Sequence, residues 1–305
     1  SRRTLLRGAC VSAGLLVLPS ISRANMTGGA RNTPLAFEGD SLLAAGKQLS
    51  RSDDDGASWV PLPLSGTVLA LATHPERPGK IFAAAELNGI VVSEDAGMTW
   101  EERSSGLPQG AVLAIAIAAV EPDVIYAAIK DDGLWSSGDA GRSWEFVMDR
   151  PWLAQGERDL LTLASVNLAS GMGGIWIYAG TERGLTRVPD CFCRWQDVQS
   201  GDAMDALASG EVPTLAAPLP EGEALNSLVS APSDPTILYA AMPSGIWISK
   251  NAGVTWSRAS ASPAYSVAVH PQNPNQIVAA LDDGLSKSSD GGVNWGALSD
   301  PQRRN

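Results

Sequence analysis

Short apolar runs separated by polar turns make up most of the chain, and no stretch after the first 24 residues shows sustained helical periodicity. In one representative stretch, the apolar, β-rich segment 67–73 is followed by a His-Pro turn and a second run at 80–85. A turn ending at Gly89 then precedes a third run at 90–93, and a fourth run covers 99–102. This pattern predicts an all-β protein built from units of four short strands.

An eight-residue motif recurs between the third and fourth runs of these units. It reads Ser-x-Asp-x-Gly-x-(Thr/Ser)-Trp at residues 52–59, 93–100, 137–144, 249–256 and 288–295, with Asn251 replacing one Asp and Asn294 replacing one Thr. A glycine eleven residues before most of the tryptophans locates a sixth, degenerate copy at 188–195, which keeps Asp190 and Trp195. Successive motif tryptophans are 39 to 61 residues apart. Six copies therefore predict six units.

Four-stranded units of about 40–45 residues repeated around an axis are typical of a β-propeller. We predict a single all-β propeller over residues 34–299, with six four-stranded blades and seven as the main alternative count. Residues 25–33 form a linker and residues 300–305 a tail. The fourth unit carries an insertion at 200–223 that is rich in Ala, Gly, Pro and acidic residues. Insertions into a regular array often carry a protein's individual function.

The repeated motifs resemble Asp-boxes, which are also called bacterial neuraminidase repeats. Asp-box propellers include sialidases, xyloglucan-hydrolysing glycosidases, sortilin-type receptors and the photosystem II assembly and stability factor. The resemblance covers nearly all of the chain after residue 33, and it implies the fold and a structural role for the motif. In that role the acidic side chain accepts backbone N–H groups and the tryptophan ring is buried. The residues concerned are Asp54, Trp59, Asp95, Trp100, Asp139, Trp144, Asp190, Trp195, Asn251, Trp256, Asp290 and Trp295. The motif glycines allow a left-handed backbone and are Gly56, Gly97, Gly141, Gly253 and Gly291.

The N-terminal segment has the features of an export signal. Arg2 and Arg3 precede an apolar run at 8–18, and small residues at 22 and 24 stand at the two positions that a signal peptidase reads. The segment resembles a twin-arginine signal peptide, which implies export of a folded protein across a bacterial inner membrane. We therefore predict a signal at 1–24, cleavage after Ala24 and a periplasmic protein. An uncleaved signal that acts as a membrane anchor is the alternative.

Charge excludes several classes of partner. The 305 residues carry 22 Lys and Arg against 33 Asp and Glu, for a formal net charge of -11. Nucleic acids and anionic membrane surfaces both require clustered basic residues. We expect no nucleic-acid partner and no membrane span in the mature chain. Only two histidines are present, so a His-rich metal site is not expected, and no cofactor or metal is predicted.

The turns between the second and third strands hold the candidates for an acidic site. In a propeller these turns lie at one end, where their carboxylates would form an acidic mouth for a cation, a basic partner or a glycan. The alternative is that they are solvated turn residues. The carboxylates are Glu86, Asp131, Asp132, Glu182, Asp282 and Asp283. A glycoside hydrolase needs two carboxylates at a defined separation, which the sequence does not supply, so no catalytic residue is assigned.

The degenerate motif contains two cysteines separated by one residue. Cys191 and Cys193 replace part of the motif around its glycine position. In an oxidising compartment they are candidates for a disulfide. Free thiols, and a redox or metal-binding role, remain open alternatives.

Tryptophan is over-represented, with 10 Trp against 4 Phe and 4 Tyr. The repeat accounts for all of these tryptophans except Trp152, which follows Arg150 in an irregular segment between the third and fourth units. An exposed Trp beside an Arg suits a protein partner or a sugar ring, whereas a Trp folded under its own loop would be structural.

These observations predict an exported, non-catalytic propeller that binds a protein partner. Assembly or stabilisation of an envelope or respiratory complex is a role that the resemblance suggests. A sialidase-like or other glycan-binding or glycan-cleaving protein that uses the acidic mouth is the alternative.

Overall fold

The computed structural model describes residues 33–198 and 217–303, apart from Leu87, Ala154 and Met172. The predicted signal at 1–24, nearly all of the linker and most of the 200–223 insertion lie outside the described residues. Strands and turns account for the described ranges, except for a short 3₁₀ turn at Pro301–Arg303. The all-β prediction is therefore confirmed.

The first three blades are four-stranded antiparallel sheets. Blade one contains β1 (Leu35–Glu38), β2 (Ser41–Ala44), β3 (Ser50–Ser52) and β4 (Val60–Pro61). Blade two contains β5 (Val68–Thr73), β6 (Ile81–Ala85), β7 (Gly89–Ser93) and β8 (Glu101–Glu102). Blade three contains β9 (Val112–Ile117), β10 (Ile125–Ile129), β11 (Gly133–Ser137) and β12 (Glu145–Asp149).

A two-stranded hairpin separates blade three from blade four and consists of β13 (Trp152–Leu153) and β14 (Gly156–Glu157). Blade four contains β15 (Thr162–Ala169), β16 (Ile175–Thr181) and β17 (Gly184–Pro189). Blade five contains β18 (Ser227–Ala231), β19 (Asp234–Met242), β20 (Gly245–Ser249) and β21 (Ser257–Ser260). Blade six contains β22 (Ala264–His270), β23 (Asn273–Leu281), β24 (Gly284–Ser288) and β25 (Gly296–Ala297).

Six blades arranged as a propeller confirm the predicted count, although blade four has lost most of its outer strand. Its fourth position is reduced to one bridge, in which the Arg187 N–H donates to the Gln196 carbonyl (2.9 Å) and the Gln196 N–H donates back (2.8 Å). Gln196 follows its motif tryptophan directly, as the first residue of β8 and of β12 does. The outer strand of blade four therefore begins at the expected place, and among the described residues it consists of this one bridge.

The ring closes between blades six and one, which are far apart in sequence. The Leu35 N–H donates to Ser266 Oγ (3.2 Å), and Trp59 Nε1 donates to the Ser299 carbonyl (2.9 Å). These bonds cross the seam between the two ends of the propeller domain. Radial repetition of this kind leaves only short, protected sheet edges.

The core lies between neighbouring blades. Tyr178 on β16 and Tyr239 on β19 are among the largest fully buried side chains. The Tyr178 hydroxyl donates to the Ala252 carbonyl (2.8 Å), and the Tyr239 hydroxyl donates to the Pro274 carbonyl (2.7 Å). Each bond joins a blade to the next one. Burial raises the pKa of Tyr239 to about 12, so its hydroxyl remains a donor at all ordinary pH values.

The repeated motif closes the turn between the third and fourth strands, as blade two illustrates. Ser93 Oγ donates to Asp95 (2.8 Å) and accepts the Gly97 N–H (2.7 Å). Asp95 also accepts the Thr99 N–H (2.8 Å) and the Thr99 hydroxyl (2.6 Å). Five blades share this arrangement. Blade five has an asparagine in place of the aspartate, and Asn251 accepts the equivalent N–H from Thr255 (2.9 Å). The motif side chains therefore hold one turn per blade.

These hydrogen bonds stabilise the ionised form of the motif aspartates. The side-chain hydroxyl and the backbone N–H four residues further on lower the pKa of Asp54, Asp95 and Asp139 to about 2. For Asp290 the backbone N–H of Asn294 and then its side-chain amide lower the pKa to about 2.

The prediction of Gly291 as the motif glycine of blade six is wrong by one position. The Gly292 N–H donates to Ser288 Oγ (2.9 Å), so Gly292 is the equivalent of Gly97. Gly291 stands one residue earlier, at φ 74°, where the other intact copies place left-handed non-glycine residues. Those residues are Asp55, Ala96, Ala140 and Ala252.

Candidate functional site

Two cavities lie on the axis of the ring. The larger, of about 310 Å³, is lined by the ends of the inner strands and the turns that follow them. The smaller, of about 150 Å³, is lined by the beginnings of the same inner strands. Because antiparallel strands alternate in direction, the turns between second and third strands belong to the end with the smaller cavity.

The larger cavity has a mixed polar and apolar lining. Four prolines line it together with Glu76, which is the one carboxylate that lines either cavity in the described part of the chain. His74 also lines it, but both ring nitrogens are engaged in structural contacts. Nδ1 accepts the Glu76 N–H (3.2 Å), and Nε2 lies 3.3 Å from the Ala119 carbonyl of the next blade. The prolines are Pro75, Pro232, Pro235 and Pro271.

The predicted acidic mouth is not part of either cavity lining. Its six carboxylates lie on turns at the smaller-cavity end. Asp132 accepts a hydrogen bond from Trp135 Nε1 (2.7 Å), and Asp282 accepts one from the Tyr265 hydroxyl (2.6 Å). Tyr265 lines the smaller cavity, so Asp282 is hydrogen-bonded to a residue of the cavity wall without lining the cavity itself. Glu86, Glu182 and Asp283 are exposed on their turns.

Arg150 is the centre of an ionic cluster beside that end of the ring. Its Nη1 lies 3.3 Å from Asp131 Oδ1 and 3.2 Å from Asp159 Oδ1, and its Nη2 lies 2.6 Å from Glu157 Oε2. Partial burial lowers the pKa of Arg150, but the hydrogen bonds and charges of Asp159 and Glu157 outweigh it and raise that pKa. The Arg150 side chain is only 19% exposed, so it holds the neighbouring segments together rather than presenting a free charge to solvent.

This cluster fixes the base of the β13–β14 hairpin. The Arg158 N–H donates to the Pro151 carbonyl (3.0 Å), and Trp152 pairs with Glu157 across the hairpin. The Asp131 N–H donates to Asp159 (2.9 Å), which attaches the hairpin to blade three. Trp152 stands out from this base with 71% of its surface exposed. The alternative in which Trp152 folds under its own loop is therefore wrong.

The two cysteines of blade four form a disulfide between Cys191 and Cys193, and both are exposed. The residue between them, Phe192, packs edge-on against Tyr126 of blade three, with 5.9 Å between ring centroids. No group of three or more potential metal ligands occurs among the residues that the structure describes.

Sequence reasoning missed several partners because they come from separate strands. The Arg187 guanidinium stacks on the Trp176 ring at 4.0 Å, within blade four. Glu38 of blade one accepts the Gly79 N–H of blade two (2.6 Å) and pairs with Arg51 (3.0 Å). No local pattern marks these residues, whereas Glu157 and Asp159 at least share an irregular segment with Arg150.

Comparison with solved structures reveals likeness in fold. A GH74 enzyme from Niastella koreensis aligns with a TM-score of 0.59 at 19% identity, over 88% of this chain and 45% of that one. YCF48 bound to a D1 peptide aligns with a TM-score of 0.51 at 15% identity, over 88% of this chain and 82% of that one. YCF48 from Cyanidioschyzon merolae aligns with a TM-score of 0.51 at 16% identity, over 83% of this chain and 80% of that one. The chain is a six-bladed β-propeller. It spans less than half the length of the GH74 enzyme.

No family model matches the sequence, and no curated protein matches it. In the described residues, no helix has the length and apolar character needed to cross a membrane. Since the structural relatives share under 20% identity with this chain, they support the fold and not an activity.

Proposed function

We propose that this protein is an exported Asp-box propeller that binds a protein partner through the β13–β14 hairpin. The observation that carries the proposal is the 71% exposure of Trp152 on a hairpin whose base is held by three ion pairs. A large exposed aromatic side chain on a rigid base loses little conformational entropy when it is buried by a partner. Exposed aromatic residues of this kind are typical of binding surfaces.

Charge favours a basic partner segment. Glu157 and Asp131 lie at the base of the hairpin and remain about half exposed or more, and the chain as a whole carries a net charge of -11. Such a surface attracts Lys and Arg side chains, which also stack well on a Trp ring. An assembly or stability role in an envelope or respiratory complex fits a non-enzymatic partner-binding propeller, and the structural likeness to YCF48 bound to a peptide supports it.

Affinity capture from the native envelope tests the proposal. Wild-type protein and Trp152→Ala are compared with Met98→Ala, which removes another exposed apolar side chain (62% exposed) far from the hairpin in sequence. We expect Trp152→Ala to lower capture of the same identified partner at least tenfold while Met98→Ala retains it. Equal capture by wild type and Trp152→Ala would refute a role for the hairpin.

Glycan cleavage is the second candidate, and the likeness to GH74 enzymes is the observation that favours it. Among the residues that the structure describes, neither axial cavity is lined by a pair of carboxylates, and Asp131 is paired with Arg150. Incubation with xyloglucan and measurement of released reducing ends tests this candidate. Hydrolysis that is lost in Asp131→Asn, Asp132→Asn or Asp282→Asn would replace the partner-binding proposal.

A further inference from the structure

The degenerate motif of blade four contains a chemical group that the other five turns lack. In the alignment of the copies, Phe192 occupies the position of the motif glycine and Val188 that of the motif serine. Phe192 nevertheless keeps the left-handed backbone, with φ 52°, although side-chain-bearing residues favour this region less than glycine does. Its N–H donates to the Pro189 carbonyl (2.8 Å) because no serine hydroxyl is present. The disulfide thus closes a turn that elsewhere is closed by hydrogen bonds.

The two flanks of this turn are held without the disulfide. Before it, the Ile175 N–H donates to Asp190 Oδ2 (3.0 Å), and the Asp190 N–H donates to the Ile175 carbonyl (3.0 Å). After it, Gln196 is bridged to Arg187, and Trp195 Nε1 donates to the Asp149 carbonyl (2.8 Å). A ring that spans a single intervening residue also restricts the unfolded chain much less than a long loop does. The bond is therefore not needed to hold blade four together.

Both sulfur-bearing residues are exposed to solvent, in contrast to buried structural disulfides. Exposed or strained disulfides are the ones that react readily with thiols. Arg194 directly follows Cys193, and a neighbouring positive charge favours a thiolate leaving group.

We propose that Cys191–Cys193 is a thiol–disulfide exchange site that accepts two electrons from a protein dithiol. A partner thiolate attacks one of the two sulfurs, so that the Cys191–Cys193 bond breaks, a mixed disulfide forms and the other cysteine leaves as a thiolate. The second partner thiolate then attacks the mixed disulfide. The partner ends with its own disulfide and this chain with two thiols, so bonds and electrons balance without a further oxidant.

The test uses the full chain with Cys10→Ser, which leaves Cys191 and Cys193 as its only cysteines. The folded protein is mixed, without oxygen, with an excess of a reduced peptide that carries two cysteines. Acid quenching, alkylation and mass spectrometry then count the thiols. We expect one peptide disulfide per chain, with both thiols recovered at Cys191 and Cys193. A peptide with one cysteine should accumulate as a mixed disulfide on one of these residues.

A second variant, Cys191→Ser/Cys193→Ser in the same background, separates chemistry from folding. We expect it to oxidise no peptide, to retain the wild-type circular dichroism spectrum and to unfold within a few degrees of the wild-type midpoint. The proposal fails if the disulfide exchanges only after unfolding in guanidinium. It also fails if the double variant does not fold, because the bond would then be structural.

Discussion

Blades two and four show two ways of closing the same turn. In blade two a serine, an aspartate and a threonine form a hydrogen-bonded turn around Gly97, which sits at φ 93°. In blade four the serine and the glycine are gone, and a disulfide flanks a left-handed Phe192. The regular turn is held by hydrogen bonds of the backbone and side chains, which break and re-form reversibly. The irregular turn contains a covalent bond whose state can be changed by thiols, while hydrogen bonds hold both of its flanks.

The tryptophans that end the motifs of blades three and four differ in burial, although Trp100 of blade two and Trp295 of blade six are also only partly buried. Trp144 of blade three is buried, and its Nε1 donates to the Arg103 carbonyl (2.7 Å) and to the Gly141 carbonyl (3.1 Å). We expect Trp144→Ala to lower the free energy of unfolding by about 3–5 kcal/mol. Trp195 of blade four is only partly buried, and we expect Trp195→Ala to cost about 1–2 kcal/mol. Chemical denaturation measures both, and equal losses would contradict the difference in packing.

The motif serine gives the next largest contrast. Ser93 is buried and is the acceptor for the Gly97 N–H, so Ser93→Ala leaves a buried donor without its partner. We expect a loss of about 1–3 kcal/mol in unfolding free energy. Ser137→Ala in blade three removes the equivalent bond (2.8 Å) and should cost a similar amount. A loss under about 0.5 kcal/mol in both variants would show that the hydroxyl does not hold the turn.

The repeat made the fold predictable, while the site depended on contacts that no repeat encodes. Six tryptophan-bearing motifs predicted six blades because each motif closes one hairpin, whatever surrounds it. The loss of the outer strand in blade four was not predicted, since Gln196 keeps the residue spacing of a strand start. The acidic mouth was predicted from turn composition alone, but distance from the axis is set by blade packing. The exposure of Trp152 likewise depends on how Arg150 gathers three carboxylates from different elements.

Low pH should weaken the contribution to stability of the aspartate motifs but not that of the asparagine motif. This is the smallest effect we expect. The pKa values of Asp54, Asp95 and Asp139 lie at about 2 in the folded protein, below the ordinary value of 3.8. Their contribution to stability is therefore complete above about pH 4 and is lost as the pH falls through about 2. Asn251 holds the same turn in blade five and does not titrate.

The triple variant Asp54→Asn/Asp95→Asn/Asp139→Asn replaces the carboxylates of these turns with the side-chain amide that blade five has. We expect its thermal midpoint to fall less between pH 5 and pH 2.5 than that of the wild type, although it starts lower at pH 5. Asp123 and Asp290, whose pKa values are also lowered, are present in both proteins and contribute to the remaining slope of each. Parallel curves for the two proteins would mean that the motif aspartates are not coupled to folding. A flatter curve for the variant would show that the acid sensitivity of the ring lies in its regular turns, which blade four has replaced with a bond that responds to thiols instead.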